Sequence, residues 1–295
     1  MSATSLLQLP KNPHGVETPL RYPGGKSALS GLLIALLKRN SSIKRYVEPF
    51  AGGAGAALNL LYNGYVNEIV INDYDPAIYC FWQSVTQNNE LFLETLDNTE
   101  ITIEEWFKQR EIYRKCDPKD VFNLGFATFF LNRCNRSGII KGGVIGGQKQ
   151  TGAYKLDARF NPLKLKEKIK KIGNYSSQIK VLNEDGKAVF NQYKDKLDTF
   201  LYLDPPYVKQ GTSLYLNAFS TEDHISLSDA IKSAKKESYW LVTYDCSDLI
   251  ASQKCYGNCN IYRYSLRYSA QKKRREYEYL ICSDSIKNQI ESFLD

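Results

Sequence analysis

Residues 201–207 read LYLDPPY, an apolar run that ends in an aspartate and two successive prolines. Proline fixes φ and removes an amide donor, so a sheet strand cannot continue through Pro205-Pro206. Asp204 is therefore expected at the carboxyl end of a strand, on a stiff turn, with Tyr207 held beside it. In an open α/β sheet that edge is where ligands bind. The same seven residues thus mark both an element boundary and a candidate site.

The rest of the chain supplies the alternation such a sheet needs. SALSGLLIALLKRN (27–40) has the apolar spacing of an amphipathic helix, and RYVEPFAGGAGAALNLLYNG (45–64) reads as strand, glycine turn and helix. EIVINDYD (68–75) is a short buried strand running into acids, which completes a β-α-β unit. From Pro76 to about Lys171 the alternation stops. Acid-rich helical segments, the apolar VFNLGFATFFLN and a glycine- and lysine-rich stretch predict an inserted, mostly helical subdomain over 76–172. Within it, LKLKEKIKKI (163–172) reads as a helix with Leu163, Leu165, Ile169 and Ile172 facing inward. Strand-helix alternation resumes at QIKVLNED (178–185). It closes with two strand-like runs in 260–284, expected as an antiparallel hairpin at the sheet edge. Residues 18–75 and 173–295 are then one α/β domain, and 1–17 a poorly ordered leader.

Composition narrows the partners. Only His14 and His224 are present, and the seven cysteines are scattered, so no metal site and no disulfide framework are expected; a cytoplasmic location is. No apolar stretch reaches the length of a membrane span. Twelve Lys/Arg against two acids lie between Asn132 and Lys180, and six more with no acid between Arg263 and Arg275. These two segments exceed the whole net charge of +7, so the basic residues are segregated. A segregated basic face points to a polyanion, most often nucleic acid.

The glycine turn EPFAGGAGAAL has no Gly-Lys-Ser/Thr ending, so it is not a phosphate-cradling Walker loop. Its glycines, Gly52 among them, let a ligand approach the backbone, and Asp73 follows at the next strand's end to accept from ribose hydroxyls. NAD and S-adenosylmethionine both carry that ribose. RYPGGK (21–26) favours the second, because Lys26 suits a ligand carboxylate and Glu48 an ammonium, and a dinucleotide fold has no use for a cation there.

With RYPGGK, VEPFAGGAGAAL, NDYD and DPPY in this order, the sequence resembles the Dam-type DNA adenine-N6 methyltransferases from about Thr18 to Ser283. The resemblance implies a doubly wound, seven-stranded, Rossmann-like S-adenosylmethionine-dependent sheet with 76–172 as target-recognition subdomain. It assigns the cofactor to Tyr22, Lys26, Glu48, Phe50, Asp73, Asp185 and Asp204. Two departures stand out. The family's aromatic after the acid at 185 is replaced by Gly186, and its NRxxFNGLxR insert motif reads NRCNRSGIIKGG here.

The catalytic expectation rests on Asp204, Pro205, Pro206 and Tyr207. An exocyclic amine has a delocalised lone pair; if Asp204 and the Pro205 carbonyl each accept one N–H, the nitrogen becomes more tetrahedral and nucleophilic. The prolines hold both acceptors in place, and Tyr207 offers a face for a flipped-out base. No cysteine follows a proline, which excludes the nucleophile of cytosine-C5 transfer. For duplex DNA, the expected contacts are Arg133, Asn135, Arg136, Lys141, Gln148 and Lys149, on a flexible glycine-rich loop, with Lys272, Lys273, Arg274 and Arg275 on phosphates. The expected protein is a monomer, with a cognate restriction endonuclease as a possible partner. The alternatives are an RNA base or cytosine N4 as target, or a non-catalytic DNA-binding regulator.

Overall fold

The computed structural model describes residues 6–21, 29–208, 219–268 and 274–294, with backbone alone for 266–268 and 274–276. Its elements begin with β1 (Leu6–Leu7), α1 (Ser30–Arg39), β2 (Arg45–Glu48), α2 (Gly55–Tyr62) and β3 (Glu68–Asn72). Helices α3 (Pro76–Gln87), α4 (Asn89–Asn98), α5 (Ile103–Lys115), α6 (Val121–Cys134) and α7 (Pro162–Asn174) follow. Then come β4 (Ile179–Leu182), α8 (Gly186–Tyr193), β5 (Thr199–Leu203), α9 (Thr221–Lys232) and β6 (Tyr239–Asp245). The chain closes with α10 (Asp248–Ala251), β7 (Asn260–Tyr268), β8 (Arg274–Cys282) and α11 (Asp284–Glu291).

Two compact units result. Met1–Val16, Lys26–Asn72 and Glu184–Asp295 form the first, and Glu17–Gly25 with Asp73–Asn183 the second. The first is a mixed sheet in the order β1-β7-β8-β6-β5-β2-β3. Strands β6, β5, β2 and β3 run parallel, while β8 pairs antiparallel with both β6 and β7. β5, TFLYL, is buried along its whole length, as a strand with partners on both edges and cover on both faces requires. The chain steps from β2 outward to β3 and from β5 outward to β6 in the opposite direction. The carboxyl ends of β2 and β5 therefore meet at the topological switch point, where a doubly wound sheet opens a crevice.

Eight strands are present among the described residues, one more than expected, because Leu6–Leu7 forms a strand. Leu6 and Leu7 pair in parallel with Arg263 and Tyr264, and Leu7 is buried. The following turn lies so close over α1 that a Cβ on Gly31 would stand 2.1 Å from the Pro10 carbonyl oxygen. The hairpin of β7 and β8 is accordingly interior, since β1 and not β7 forms that edge of the sheet.

The second unit is held by aromatic packing. Phe92, fully buried, lies 5.4 Å from Phe129 and 5.3 Å from Phe126, ring centre to ring centre. Helix starts follow local chemistry: Asp75 caps α3 with Pro76 behind it, and Asn161 caps α7 ahead of Pro162. On α7, Leu165, Ile169 and Ile172 are buried as expected, but Leu163 is 74% exposed. Leu165, Ile169 and Ile172 repeat at four and three residues, whereas Leu163 sits two residues from Leu165 and so falls on the opposite side.

Phe92→Ala should destabilise this second unit by about 3–5 kcal/mol, the usual range for emptying a buried aromatic site. Urea unfolding followed by circular dichroism checks it; a loss under about 1 kcal/mol would remove Phe92 from the core.

Candidate active site

The switch point brings Glu48 and Asp204 together. Glu48 ends β2 and is 4% exposed; Asp204 follows β5 and is half-buried. The Tyr46 hydroxyl donates to Glu48 Oε1 at 2.9 Å. Burial, reinforced by the neighbouring Asp204 charge, raises the Glu48 carboxyl from its ordinary 4.5 to about 8. Glu48 is thus protonated at neutral pH in the free protein. Asp204 is anchored from the next strand: the Thr243 hydroxyl donates to Asp204 Oδ1 at 2.8 Å, and Thr243 in turn lies 2.9 Å from the Tyr202 hydroxyl. Pro205 is buried, and Tyr207 is 8% exposed with its ring 6.4 Å from Tyr244.

The glycine turn after β2 is built on positive φ, at Gly52 (48°) and at Ala54 (44°), the residue that starts α2. Buried Asn72, at the end of β3, ties this turn to the one before α8. Its amide donates to the Pro49 and Glu184 carbonyls at 2.8 and 2.9 Å, and its oxygen accepts from the Glu184 amide at 2.8 Å. Asp185 caps α8 through one carboxylate oxygen, accepting from the Ala188 amide at 3.0 Å. A Cβ on Gly186 would meet the Phe50 ring at 2.4 Å. Phe50 therefore takes the space that an aromatic at 186 would need, and Phe219 packs edge-on against it at 5.9 Å. From Phe219 a row of ring contacts continues through His224 to Tyr244 and Tyr207. Asn72, Thr243 and Phe219 escaped the sequence reading; a polar residue closing an apolar strand was the only available signal, and it covers Asn72 alone.

The second unit holds Asp73 and the loop candidates. Asp73 is half-buried just after β3, with Oδ1 accepting from the Asp75 amide at 3.0 Å. Arg136, Lys141, Gln148 and Lys149 are exposed. Asn135 is fully buried instead: its oxygen accepts from the Trp106 indole at 2.8 Å, and its amide donates to the Ile139 and Ile140 carbonyls at 3.2 and 2.7 Å. Arg133 spends its guanidinium on the Pro19 and Arg159 carbonyls. The loop they belong to is clamped to Arg21, whose amide donates to Asn132 at 2.7 Å and whose carbonyl accepts from it at 2.8 Å. Gly138, at φ +75°, passes so close that a Cβ would meet the Arg21 oxygen at 2.2 Å. Tyr22, Lys26, Lys272 and Lys273 lie outside the described residues, and of Arg274 and Arg275 only the backbone is described.

Fold and site together define an α/β protein with a carboxylate- and ring-lined ligand edge. The chain matches the D12 class N6 adenine-specific DNA methyltransferase profile over residues 22–270, and it belongs to that family. It is 25% identical over 268 residues to the Type II methyltransferase M.MjaIII of Methanocaldococcus jannaschii, covering 83% of this chain and 90% of that one. It is 24% identical over 202 residues to M.CviBI of Paramecium bursaria Chlorella virus NC1A, covering 67% and 72%. A solved rRNA methyltransferase, aviRa from Streptomyces viridochromogenes, aligns over 88% of this chain and 86% of its own with a TM-score of 0.34 at 9% identity. Family membership implies a DNA substrate and a methyl donor of the S-adenosylmethionine type. Among the described residues, no helix is long and apolar enough to cross a membrane, and no group of three acids, histidines or cysteines is placed to hold a metal.

The raised Glu48 carboxyl has a consequence for stability. Its folded value lies above its unfolded one, so the stability it contributes is fully present below about pH 4.5 and is lost as pH rises through about 8. Glu48→Gln should flatten this decline, and the variant should gain on wild type by a few kcal/mol between pH 5 and pH 8.5. Urea midpoints at both pH values test this. An unchanged pH slope would mean that Glu48 ionises normally.

Proposed function

We propose that this protein transfers a methyl group from S-adenosylmethionine to the N6 amine of an adenine flipped out of duplex DNA, as the methyltransferase of a Type II restriction-modification pair, acting as a monomer. The observation that carries the reading is Asp204, held by Thr243 on the double-proline turn at the switch point, next to buried Glu48. Family membership supports adenine in DNA over an RNA base or cytosine N4, and both curated relatives bear Type II names.

When bound, the cofactor supplies an electrophilic sulfonium methyl. The residues present fit it. A carboxylate buried as deeply as Glu48, beside a second acid, is relieved by a cation, and the methionine ammonium is one. Phe50 and Phe219 offer ring surface for its adenine, with Gly186 leaving Phe50 the room to lie there. The free oxygen of Asp185 suits the adenine amino group, and Asp73 keeps the ribose role that the resemblance assigns.

Toward the substrate, Asp204 and the Pro205 carbonyl accept the two N–H bonds of the target amine. Thr243 occupies one lone pair of Asp204 Oδ1 and so fixes the plane of its carboxylate. Tyr207 stacks on the extruded base. With a sulfonium methyl in reach, the nitrogen so presented would take it up, and the amine's surplus proton would leave along its hydrogen bond to Asp204 and on to solvent. Lys272, Lys273, Arg274 and Arg275 bind phosphates in this reading. The exposed Arg136, Lys141, Gln148 and Lys149 face the duplex, while Arg133 and Asn135 hold their loop in shape.

Incubation of plasmid DNA with the protein and tritiated cofactor should place label in N6-methyladenine; label confined to N4-methylcytosine, or to RNA, would overturn the assignment. Asp204→Ala should lower kcat at least about 10²–10³-fold. Thr243→Val should lower it about 10–100-fold with little change in KM, and Thr243→Ser should restore most of the loss. Equal activity of Val and Ser variants would end the orienting role of Thr243.

Cofactor binding has a readout of its own. If the ammonium pairs with Glu48, binding at pH 7 should release about one proton, measured by calorimetry in buffers of different ionisation enthalpy. Glu48→Gln should release none and bind more weakly. Proton release persisting in Glu48→Gln would place the ammonium elsewhere.

A further inference from the structure

The second unit contains a cleft of about 180 Å³ lined by Trp106 and Arg110 of α5 and by Arg136, Lys141 and Gln148 of the following loop. Three cations from two backbone segments, α5 and the loop, share its wall. Their neighbours on α5 are neutralised: Lys108 pairs with Glu105 at 3.4 Å and Arg114 with Glu111 at 2.7 Å. Arg110, between them, is half-buried and lies over the Trp106 ring, 5.0 Å from its centre. Among the described residues neither Arg110 nor Arg136 has a carboxylate partner. Lys141 is the one of the three with a nearby acid, since it is close enough to favour the charge of Asp75.

The wall is also preset. Trp106 is locked by its indole hydrogen bond to Asn135, and Asn135 holds the 139–140 backbone through its amide. The Arg136 amide donates to the Gly143 carbonyl at 3.0 Å, which closes the loop on the other side. Helix and loop are thus joined through buried groups, so Arg110 stands in a fixed relation to the loop cations. Like charges held together by a rigid frame repel unless an anion sits among them.

We propose that this cleft takes a backbone phosphate of the DNA substrate, with Arg110, Arg136 and Lys141 on its non-bridging oxygens. A guanidinium matches two such oxygens at once and an ammonium serves as a point charge, whereas reading a base edge calls for amides as well. The cleft presents three cations and a single amide, Gln148. Arg110 thereby becomes a substrate-binding residue on α5, outside the loop, and it positions the duplex without selecting its sequence. The inference rests on the reading of the protein as a DNA methyltransferase.

The test uses the full-length protein and two fluorescent duplexes, one carrying the sequence it methylates and one lacking it. Anisotropy is recorded from 50 to 300 mM salt for wild type, Arg110→Ala, Arg110→Lys and Arg136→Ala. Each alanine variant should bind both duplexes about tenfold more weakly at 0.1 M salt. Each should lower the log–log salt slope by about 0.9, the signature of one lost phosphate contact. Arg110→Lys should keep the slope. Site preference on a randomised duplex pool should not change in any variant. Because Arg136 is exposed, its variant reports even if Arg110→Ala disturbs the packing on Trp106. Unchanged affinity and slope in both alanine variants would overturn the proposal, and so would a changed site preference, which would make these residues base readers. Wild type that neither binds nor methylates DNA would instead overturn the underlying functional reading, and the two failures are told apart by that control.

Discussion

Two acids placed at the carboxyl ends of neighbouring parallel strands repel each other, and the first unit is arranged around that repulsion. Glu48 leaves β2 and Asp204 leaves β5 at the point where the sheet reverses its winding. In a low-dielectric interior two carboxylates this close cannot both ionise without cost. The molecule divides them by environment. Glu48 sinks into the core, receives the Tyr46 hydroxyl and keeps its proton to about pH 8. Asp204 remains half in solvent and is braced by Thr243; in the proposed mechanism it is the member that accepts from a substrate amine. A cation arriving beside Glu48 removes the conflict and lets the pair ionise together.

The same economy of space governs the rings. Gly186 stands where the resemblance implies an aromatic, which by itself reads as a missing stacking surface. The structure shows why the side chain cannot be there: Phe50 already lies over the α carbon of residue 186. The ring has moved from one turn to the facing one, with Phe219 edge-on behind it. Asn72 makes the exchange possible by fixing the two turns to each other through three hydrogen bonds. Removing a buried amide that satisfies three backbone groups would leave each without a partner, which is why a polar residue persists at the end of an otherwise apolar strand.

The sheet and its acid-bearing ends were legible in the chain because local rules decide them: two prolines end β5, a glycine turn ends β2, and apolar runs without alternation mark buried parallel strands. What was not legible depends on partners far away in sequence. Leu6 and Leu7 read as a loose leader because two residues carry no periodic signal; their strand exists through pairing with β7 and a bridge from Leu7 to Leu294. Leu163 looked like a core residue because hydrophobicity was counted without resolving a two-residue offset from Leu165. Thr243 sits in YWLVTYD as an ordinary β-branched residue, and nothing local says that its hydroxyl reaches Asp204 across the sheet. Asn135 and Arg133 looked like base readers by type, yet Asn135 is buried against the 139–140 carbonyls and half-buried Arg133 donates to those of Pro19 and Arg159.

Within the proposed function, that last reassignment changes how recognition would work. The stretch from Asn132 to Gln150 is rich in glycine, which suggests a loop that orders only on its target. Its amides say otherwise: Asn132 clamps Arg21, Asn135 clamps the 139–140 turn, and Gln150 donates to the Ile145 and Gly147 carbonyls while accepting from the Leu156 amide. Gly138, Gly146 and Gly147 serve sharp turns at φ +75° to +83° instead of freedom. A loop already in shape pays less ordering entropy on association, so its exposed cations and amides act at a lower cost per contact than the same residues on a mobile chain. Rigidity also sharpens discrimination, because a fixed side chain cannot swing to greet the wrong base pair.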